Sequence, residues 1–554
     1  MNKGLLLFLF LSILSIQSFG QNTVGLISYD FDKVQEGYNL LYPHNQPNVY
    51  LLNNCGEIVH TWEGTENFRP GNTAYIMPDG RLIKTSRPAD ISGDPLWAGG
   101  GGAHIEIRSW DNELLWFFEQ NDASARLHHD IAPLENGNIL AISWEVKSEQ
   151  EAIQAGRDPE SLDFSDLWPD YIFEIKPLED NNYEIVWEWH AWDHLIQDFD
   201  AQKDNFGSVV DNPGRIDINY TYSNAADWLH MNAIDYNPIL DQIVLSVPTF
   251  GEVWIIDHST TTAQAASSSG GLSGKGGDIL YRYGNPQAYK AGTEADRVFF
   301  YQHDAHWNDD FITPSNPFFG KISVFNNRVA PNTSTVNIFN PVFDSYEWEY
   351  PMDGNTWGPD NFDWSYIHPD TFPMQSNILS SIQTLDNGNV LICVGRNGYN
   401  FEITPDEEIV WEYETPMDGQ SYATQGDTLV ISDNFTFQIR RYPLDYEPFL
   451  DKDLSPKGFI ELEPNTDFCQ ITSTSEENIQ VSKVQIAPNP ANALIQIDLE
   501  GPSNQKAVIY NMHGQVMERL NLQSGTQVLD ISHLPPGTYW LKTEENEAQL
   551  FLKI

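Results

Sequence analysis

Basic residues are scarce in this chain of 554 residues, where 29 lysines and arginines face 79 acidic residues and leave a formal net charge of −50. Phosphate backbones bind basic surfaces, so this balance excludes a nucleic-acid partner. Cysteine is scarcer still, since only Cys55, Cys393 and Cys469 are present, without the spacing of a metal site. At most one disulfide can form, and we expect buried free thiols instead.

Long apolar runs are missing after the N-terminus. The run Leu5–Ile16 follows Lys3 and ends in Ser18-Phe-Gly20, which predicts a secretory signal peptide over residues 1–20. No later stretch approaches the roughly eighteen apolar residues of a transmembrane helix. We therefore expect an exported mature chain without a membrane span, secreted or held at the cell surface, whose acidic surface keeps it soluble.

Aromatic residues are plentiful, and many recur in one motif of a polar turn, two or three apolar residues, and an aromatic residue two positions before another aromatic or charged one. Six copies occur, at Gly56–Trp62, Asn112–Phe118, Tyr183–Trp189, Gly277–Tyr283, Ser345–Tyr350 and Glu408–Tyr413. Asp-Gly or Asn-Gly turns before apolar strands predict hairpins at Pro78–Lys84, Glu135–Ile142 and Asp386–Cys393. The repeat predicts an all-β fold, a six-bladed β-propeller over residues 21–450, with a β-sandwich or barrel array as the alternative.

Two insertions interrupt the repeat. Ser259–Gly277 is rich in Ser, Thr, Ala and Gly without apolar periodicity, and we expect a loop that covers the mouth of the central channel. Glu145–Trp168 is acidic and mixed, and we expect a short surface helix there.

The C-terminal part of the chain is a separate unit. Residues 451–482 are rich in Pro, Thr, Ser and Glu and predict a linker. Residues 483–554 alternate as short strands and predict a small β-sandwich. The Pro488-Asn-Pro490 start, the turn at Tyr510–Gln515 and the hairpin at Leu534–Tyr539 resemble the C-terminal sorting domain of the type IX secretion system. This resemblance implies that the type IX machinery is a partner and carries the chain across the outer membrane.

Histidines in three segments are the candidate site residues. Asp227–His258 is predicted to form two strands, and if its start is extended, His230 and Asn232 share one face. His128 and His129 precede one predicted hairpin, and His303 follows the fourth aromatic motif. The inner strands of all blades meet at the centre of a propeller, so we expect the three segments to form one site.

These segments resemble the arylsulfotransferase family of secreted aryl-sulfate sulfotransferases. The resemblance covers residues 37–443 and rests on Leu127–Ile131, Glu135–Asn138, Asp227–Asn232, Ile255–Ser259 and Phe300–Asp304. It implies a six-bladed propeller and an activity that needs no nucleotide sulfate donor, and we expect no cofactor and no metal. By this resemblance His303 becomes sulfated, His230 and Asn232 form a His-x-Asn pair, and either His128 or His129 joins them, since the two face opposite ways on a strand.

The chemistry of sulfuryl transfer suits these residue types. A neutral imidazole, with an ordinary pKa of about 6.5, is a competent nucleophile that splits transfer from a phenolic sulfate donor to a phenolic acceptor into two displacements. A second histidine can donate a proton to the leaving phenolate, and Asn or protonated His can bind the sulfuryl oxygens. Tyr222, Trp228 and Trp307 are candidates for packing the aryl ring.

One position departs from the family pattern. Pro248 stands where the family usually carries an arginine, and proline has no charge to stabilise a sulfuryl oxygen. Either another cation replaces it, with Arg126, Lys275, Arg282 and Arg396 as candidates, or the activity is weakened. The alternative is then a secreted binding or surface protein with a propeller fold. A metal- or quinone-dependent propeller enzyme or a lyase is a third interpretation, but no set of four metal ligands occurs at a recognisable spacing.

Overall fold

Strands dominate the computed structural model, which describes residues 22–163, 166–221, 223–370, 373–469, 483–500, 505–511, 516–543 and 549–554. The predicted signal peptide and Tyr222 lie outside these residues.

The α-helices are the short segments Glu149–Gln154 and Thr262–Ala265. The first confirms the helix expected in the acidic insertion; it begins after Ser148, whose side chain accepts the backbone N–H of Glu151 in a capping box. Helices of the 3₁₀ type are Pro159–Ser161, Glu179–Asn181, Ala191–His194, Pro286–Tyr289, Glu294–Asp296 and Glu447–Phe449.

Residues 22–442 of the described chain form six antiparallel sheets of four or five strands, numbered here as sheets 1 to 6. The strands in hydrogen-bonded order are: in sheet 1, Thr436–Tyr442, Tyr38–Pro43, Val49–Asn53 and Ile58–Trp62; in sheet 2, Phe68–Ile76, Leu82–Pro88, His104–Arg108 and Leu114–Glu119; in sheet 3, Ala125–Pro133, Ile139–Glu145, Asp170–Pro177 and Tyr183–His190. In sheet 4 they are Ala233–Asn237, Gln242–Val247, Glu252–Asp257 and Tyr281–Tyr283; in sheet 5, His303–Trp307, Ile322–Ala330, Thr333–Phe339 and Trp364–Tyr366; in sheet 6, Ser381–Thr384, Val390–Val394, Tyr399–Ile403, Ile409–Glu414 and Gly25–Tyr29.

Four two-stranded pairs accompany these sheets in the described chain. They are Lys147–Ser148 with Asp166–Leu167, Leu195–Ile196 with Ile216–Asp217, Met352–Asp353 with Thr356–Trp357, and Met417–Asp418 with Ser421–Tyr422.

The predicted hairpin turns are confirmed. They join the first and second strands of sheets 2, 3 and 6. Gly80, Gly137 and Gly388 have φ angles of 82°, 85° and 90°, the left-handed conformation that glycine adopts without steric cost. Asx residues before these glycines thus mark three of the six sheets in the sequence.

The aromatic motif marks the fourth strand of five of the six sheets. Its predicted fifth copy, Ser345–Tyr350, is wrong, because the fourth strand of sheet 5 is Trp364–Tyr366. Trp364 and Tyr366 stack in that strand with ring centroids 6.2 Å apart, as the aromatic pairs of the second, fourth and sixth copies do. Tyr350 instead leaves the sheet, packs 5.0 Å from the Tyr281 ring and donates its hydroxyl to Gln242.

The first strands of successive sheets contact one another in order, and the first strand of sheet 6 contacts that of sheet 1. Buried carboxylates hold three of these junctions. Asp130 Oδ2 accepts the backbone N–H of Ile234 in sheet 4 at 3.3 Å, and Asp235 Oδ2 accepts that of Trp307 in sheet 5 at 2.9 Å. Asp304 Oδ2 accepts the N–H of Ile382 in sheet 6 at 2.7 Å. The six first strands are therefore the inner elements on which the histidine segments converge.

The segment Ser259–Gly277 lies away from these first strands, so our expectation of a loop over a central channel is wrong. Its helix packs on the fourth strand of sheet 3. Trp189 donates its indole N–H to Gly277 O at 2.7 Å, and His194 Nε2 lies 2.7 Å from Ala265 O. Ala265 is fully buried in this contact, which the low hydrophobicity of the segment concealed.

A disulfide joins Cys55 to Cys469, so our expectation of free thiols is wrong for two of the three cysteines. The chain that leads to Cys469 is ordered against sheets 1 and 6. Ile58 donates its N–H to Gly458 O at 2.7 Å, and buried Ile460 packs into the core of these sheets. The first part of the predicted linker thus contacts two sheets, while residues 470–482 lie outside the described residues.

The disulfide closes a loop between residues 414 positions apart, and a cross-link of this kind typically stabilises a domain by about 2–4 kcal/mol. We expect Cys55→Ser to lower the melting temperature by several degrees and to remove any further response to a reductant. Differential scanning calorimetry checks this. Cys393→Ser is the control: Cys393 is the free, buried thiol, so that variant must keep its sensitivity to reduction. Equal melting of oxidised and reduced wild type would contradict the expectation.

Residues 483–554 form two further antiparallel sheets in their described part. One contains Lys483–Ala487, Leu494–Glu500 and Gly525–Asp530, and the other contains Val516–Leu522, Gln505–Asn511, Gly537–Thr543 and Gln549–Lys553. Side chains from both sheets form one apolar core, including the fully buried Ile497, Ile509, Leu541 and Phe551. This unit has a core of its own.

Candidate active site

Five histidines from four distant segments form one buried cluster, with His129 at its centre. The His129 ring lies edge-on to His230 with centroids 4.6 Å apart, and its Nδ1 lies 2.8 Å from Nδ1 of His128. Burial holds the pKa of His129 well below its ordinary value, and the charges of His230, His128, His303 and His44 lower it further. His44 was not predicted, because it follows a strand without any motif around it. These contacts bring together the three predicted histidine segments, those of His128 and His129, of His230 and of His303.

Left-handed backbone at non-glycine residues gives the cluster its geometry. His129 and His230 have φ angles of 52° and 55°, and Tyr301 and Asp304 on either side of His303 have 59° and 58°. Such residues cost free energy and occur preferentially at functional sites. They also break the strict alternation of side chains along a strand. Our expectation that His128 and His129 face opposite ways is therefore wrong, and the extended backbone assumed for His230 and Asn232 is absent at His230.

His230 is held by a carboxylate. Its Nδ1 lies 2.5 Å from Asp227 Oδ2, three residues earlier in the chain. Burial alone lowers the pKa of His230, but the charge and hydrogen bond of Asp227, aided by Asp170, raise it above the ordinary value. With Nδ1–H donated to Asp227, Nε2–H is the proton that the His230 imidazolium can give to another group.

His303 has the opposite electrostatic environment. Its Nδ1 lies 2.8 Å from Asn327 Oδ1, and because the Asn327 amide nitrogen donates to Ser376 O and Leu379 O, the oxygen must accept the His303 Nδ1–H. The lone pair then lies on Nε2, which accepts the Leu379 N–H over 3.2 Å. Burial lowers the pKa of His303 to about 3. At neutral pH His303 is a neutral imidazole with its lone pair on Nε2.

His128 lies behind His129 rather than beside His230. Its Nε2 is 2.7 Å from the buried carboxylate of Asp170, and its ring stacks on Trp144 with centroids 4.1 Å apart. Burial lowers the pKa of His128 to about 3. His128 Nδ1 and His129 Nδ1 share one hydrogen bond. Of the two neighbouring histidines, His129 faces His230, and His128 packs behind His129 and orients its ring.

Asn232 contacts the segment that carries His303, whereas the predicted aromatic residues lie elsewhere. Asn232 is buried and donates its amide to Gln302 O at 2.8 Å, so it holds the backbone next to His303. Trp228 and Trp307 are buried in two apolar cores and do not line the cluster. Tyr222 lies outside the described residues.

Two other aromatic rings border the histidines. The Tyr301 centroid lies 6.0 Å from His230 and 6.2 Å from His303. The Phe437 centroid lies 6.3 Å from His303 and 6.4 Å from His129. Phe437 comes from the first strand of sheet 1, which no sequence motif marks.

The cations considered as substitutes at position 248 are mostly committed elsewhere. Arg126 lies 2.6 Å from the Asp94 carboxylate, and Arg282 lies 2.6 Å from that of Glu252. Lys275 is half exposed on the segment that packs against sheet 3.

The fourth candidate, Arg396, donates its backbone N–H to Ser376 Oγ. The cation whose charge acts on both His230 and His303 is Arg328, which lowers the pKa of each. It directly follows Asn327 in the second strand of sheet 5, and no sequence motif marks it.

A glycine-rich segment covers the cluster. Gly100, with φ at 77°, packs directly on the His129 ring, and its oxygen accepts the His129 N–H at 2.8 Å. Gly99 faces His230 at 3.8 Å from the position that a Cβ would occupy. A side chain at Gly100 would overlap the imidazole, so glycine is required there. The described residues contain no group of three or more His, Cys, Asp or Glu placed to hold a metal ion.

Next to the cluster, burial raises the pKa of Asp304 to about 7. The folded protein then retains a proton that the unfolded chain releases above about pH 4. The stability from Asp304 is fully present below about pH 4 and is lost as the pH rises to about 7. We expect Asp304→Asn, which keeps an acceptor for Ile382, to melt higher than wild type at pH 8, with a smaller gain at pH 5. Asp111→Asn on the exposed surface is the control; an equal gain at both pH values would contradict this.

The fold and the cluster define an all-β protein whose sheets bring histidines from distant segments to one buried site, with one imidazole kept neutral and its neighbour favoured as a cation. The chain belongs to the arylsulfotransferase (ASST) family, whose model matches residues 47–430. Residues 485–554 match the model of a secretion system C-terminal sorting domain. The resemblances drawn from the sequence are thereby confirmed, and the sorting domain indicates export by the type IX system to the surface or the medium.

Solved structures are only distantly similar. A protein of unknown function from Bacteroides caccae is 11% identical with a TM-score of 0.35, over 69% of this chain and 94% of that one. Virginiamycin B lyase from Staphylococcus aureus is 11% identical with a TM-score of 0.32, over 71% of this chain and 88% of that one. These values are too low to support an inference. No curated protein matches the chain. None of the helices that the structure describes has the length and apolar character to span a membrane.

Proposed function

We propose that the protein is an aryl-sulfate sulfotransferase that moves a sulfuryl group between phenols through a covalent intermediate on His303, without a nucleotide donor. The observation that carries the proposal is the opposite tuning of two neighbouring imidazoles. Burial keeps His303 neutral with its lone pair on Nε2, whereas Asp227 favours the His230 imidazolium. Environments that push two pKa values apart in this way assign a base or nucleophile and an acid.

In the first displacement, the His303 Nε2 lone pair attacks the sulfur of the aryl sulfate. The N–S bond forms and the bond from sulfur to the phenolic oxygen breaks. The leaving oxygen takes the Nε2 proton of the His230 imidazolium, so a neutral phenol departs and His230 becomes neutral. The Leu379 N–H, a long 3.2 Å donor to Nε2, is displaced in this step. Because the sulfated ring gains positive charge, the Asn327 oxygen on Nδ1–H stabilises it.

The second displacement reverses these changes. An acceptor phenol gives its proton to His230 Nε2, and its oxygen attacks the sulfur. The N–S bond breaks, the electron pair returns to His303 Nε2, and the acceptor leaves as a sulfate ester. Both histidines are restored to their starting protonation states, so the enzyme needs no cofactor for turnover. His129, oriented by His128, packs on His230 and excludes water from it, and Asn232 positions the strand that carries His303.

The supporting architecture is proposed to be a closed six-bladed propeller with a C-terminal β-sandwich. The consecutive contacts among the six first strands, and the pairing of Thr436–Tyr442 with Tyr38–Pro43, support closure of the ring by both ends of the chain. In a propeller the first strands line the axis, which accounts for a site assembled from four segments. Residues 21–450 are the proposed propeller, 451–482 the connection and 483–554 the sorting domain.

The test is turnover by the purified protein with a chromogenic aryl sulfate as donor and a panel of phenols as acceptors, in a buffer with a chelator and no nucleotide. The proposal predicts that each released phenol is matched by one newly sulfated acceptor, and that the donor is not hydrolysed at the same rate when acceptors are omitted. Release of free sulfate with no sulfated acceptor would contradict transfer. No release from any donor would favour a binding or surface protein with the same fold.

A further inference from the structure

A sulfuryl group in transfer needs a cation, and this inference rests on the function proposed above. Its oxygens carry dispersed negative charge that fixed donors and cations stabilise, as in phosphoryl transfer. Pro248 supplies no charge, and Arg126 and Arg282 are neutralised by carboxylates. The cation must then come from another basic residue near His230 and His303.

Arg328 is held at the edge of the cluster by three contacts. Its guanidinium lies over the Tyr301 ring, 3.7 Å from the centroid, and its Nε donates to Asn377 O at 2.9 Å. Its backbone N–H donates to Phe300 O at 2.9 Å. Tyr301 in turn lies about equally far from His230 and His303, at 6.0 and 6.2 Å. The guanidinium thus packs on the aromatic ring that borders both His230 and His303.

The terminal nitrogens of Arg328 are available for an anion. Among the described residues, no carboxylate lies within 4.0 Å of this guanidinium, although the chain carries 79 acidic residues. Its Nε is already bonded to a backbone oxygen, which leaves the two Nη groups to form a pair of parallel hydrogen bonds. A planar guanidinium suits two oxygens of one tetrahedral anion in this way.

We propose that Arg328, oriented by Tyr301, binds the sulfuryl oxygens while the group passes between a phenol and His303. The neighbouring Asn327 fixes the tautomer of His303 through its Nδ1. Two successive residues of one strand therefore orient the nucleophile and bind the transferred group. The charge of Arg328 lowers the pKa of both His303 and His230, so it favours neutral His303, while Asp227 still keeps the pKa of His230 above its ordinary value. Arg328 is thus a substrate-binding residue of the site, contributed by the strand next to His303.

Arg328→Gln is expected to lower kcat/KM for aryl sulfates by about 10²- to 10³-fold, the typical loss for one donor to a developing oxyanion. Arg328→Lys keeps the charge but not the paired donors, and its loss should be intermediate. Arg297→Gln is the matched control: Arg297 lies 4.8 Å over the Phe300 ring and donates its Nε to Phe299 O. It should retain turnover near that of wild type.

Inorganic sulfate provides a readout that does not depend on turnover. In isothermal titration calorimetry, wild type and Arg297→Gln should bind sulfate equally, and Arg328→Gln should bind at least about tenfold more weakly, as expected for the loss of a charged hydrogen bond. Equal sulfate affinity in wild type and Arg328→Gln, including no measurable binding by either, overturns the proposal. If Arg328→Gln does not fold, Arg328→Lys takes its place in the same comparison.

The two hypotheses fail in different ways. A wild type that transfers no sulfuryl group but binds sulfate through Arg328 contradicts the proposed function and leaves the anion site intact. A wild type that transfers sulfuryl groups while Arg328→Gln and Arg297→Gln do so equally well contradicts the role of Arg328 alone.

Discussion

His303→Ala is expected to lower the rate of sulfuryl transfer by at least about 10⁴-fold, the loss typical of removing a catalytic nucleophile. Alanine leaves no atom that can accept the sulfuryl group, and direct transfer between two phenols would require both to be bound in line at once. The substitution should also create a small cavity beside Phe437 and Tyr301, with a moderate loss of stability. The measurement is steady-state turnover at saturating donor and acceptor, with the melting temperature recorded for each variant.

His190→Gln is the control for this substitution. His190 is also a partly buried histidine with a carboxylate partner, since its Nδ1 lies 3.1 Å from Glu145 Oε1, but it lies on the fourth strand of sheet 3, away from the cluster. It should keep wild-type turnover. A His303→Ala protein that folds and transfers at the wild-type rate would refute the covalent route.

His230→Ala is expected to slow release of the donor phenol by about 10²- to 10⁴-fold, the usual contribution of a positioned general acid. The size of this effect should depend on the leaving group. A phenol of low pKa departs without a proton, so the substitution should slow its release only slightly. Release of a phenol of ordinary pKa should be slowed the most. The measurement is single-turnover release across a series of substituted aryl sulfates. A loss that is the same for every leaving group would show that His230 does not donate the proton.

The pH profile gives an independent check on the same residue. Because His230 must be protonated and its pKa is raised above 6.5, donor cleavage should fall as the pH rises through that raised value. Because His303 must be neutral and its pKa is about 3, the acidic limb should lie near pH 3. Asp227→Asn removes the carboxylate that raises the pKa of His230, so the alkaline limb should move to lower pH. If the alkaline limb does not move in Asp227→Asn, a group other than His230 causes it.

Local patterns in the sequence predict much of the strand order. Asp-Gly and Asn-Gly pairs identify hairpins at Gly80, Gly137 and Gly388 because a left-handed residue is needed there and glycine supplies it. The aromatic motif identifies five fourth strands because each must fill the space between two sheets. It fails at Ser345–Tyr350, where the same residue types pack as a loop against Tyr281. Residue composition alone does not distinguish a fourth strand from a loop that packs on a neighbouring aromatic ring.

The candidate site was predictable in its residues and unpredictable in its geometry. His129, His230 and His303 stand in recognisable segments, but the left-handed φ angles at His129 and His230 have no glycine to signal them. The surrounding structure imposes these conformations, so arguments from alternation assign the wrong faces. Arg328 was missed for a related reason: its role depends on stacking over Tyr301, which only the folded chain reveals.

Long-range pairing was the other limit. The Cys55–Cys469 bridge joins residues 414 positions apart, and nothing in the spacing of three cysteines indicates which two meet. Phe437 enters the cluster in the same way, through the strand Thr436–Tyr442 that returns to pair with Tyr38–Pro43. Both features depend on contacts between residues far apart in the chain, which local sequence does not encode.

The most direct test of the central claim is the position of the covalent adduct. Wild-type protein is mixed with an aryl sulfate in the absence of acceptor, quenched under conditions that preserve N–S bonds, digested, and its peptides are weighed by mass spectrometry. The account predicts one sulfuryl group per chain on the peptide that contains Gln302-His303-Asp304, formed together with about one equivalent of released phenol. An adduct on the peptide that contains His129, or release of phenol without any adduct, would contradict it.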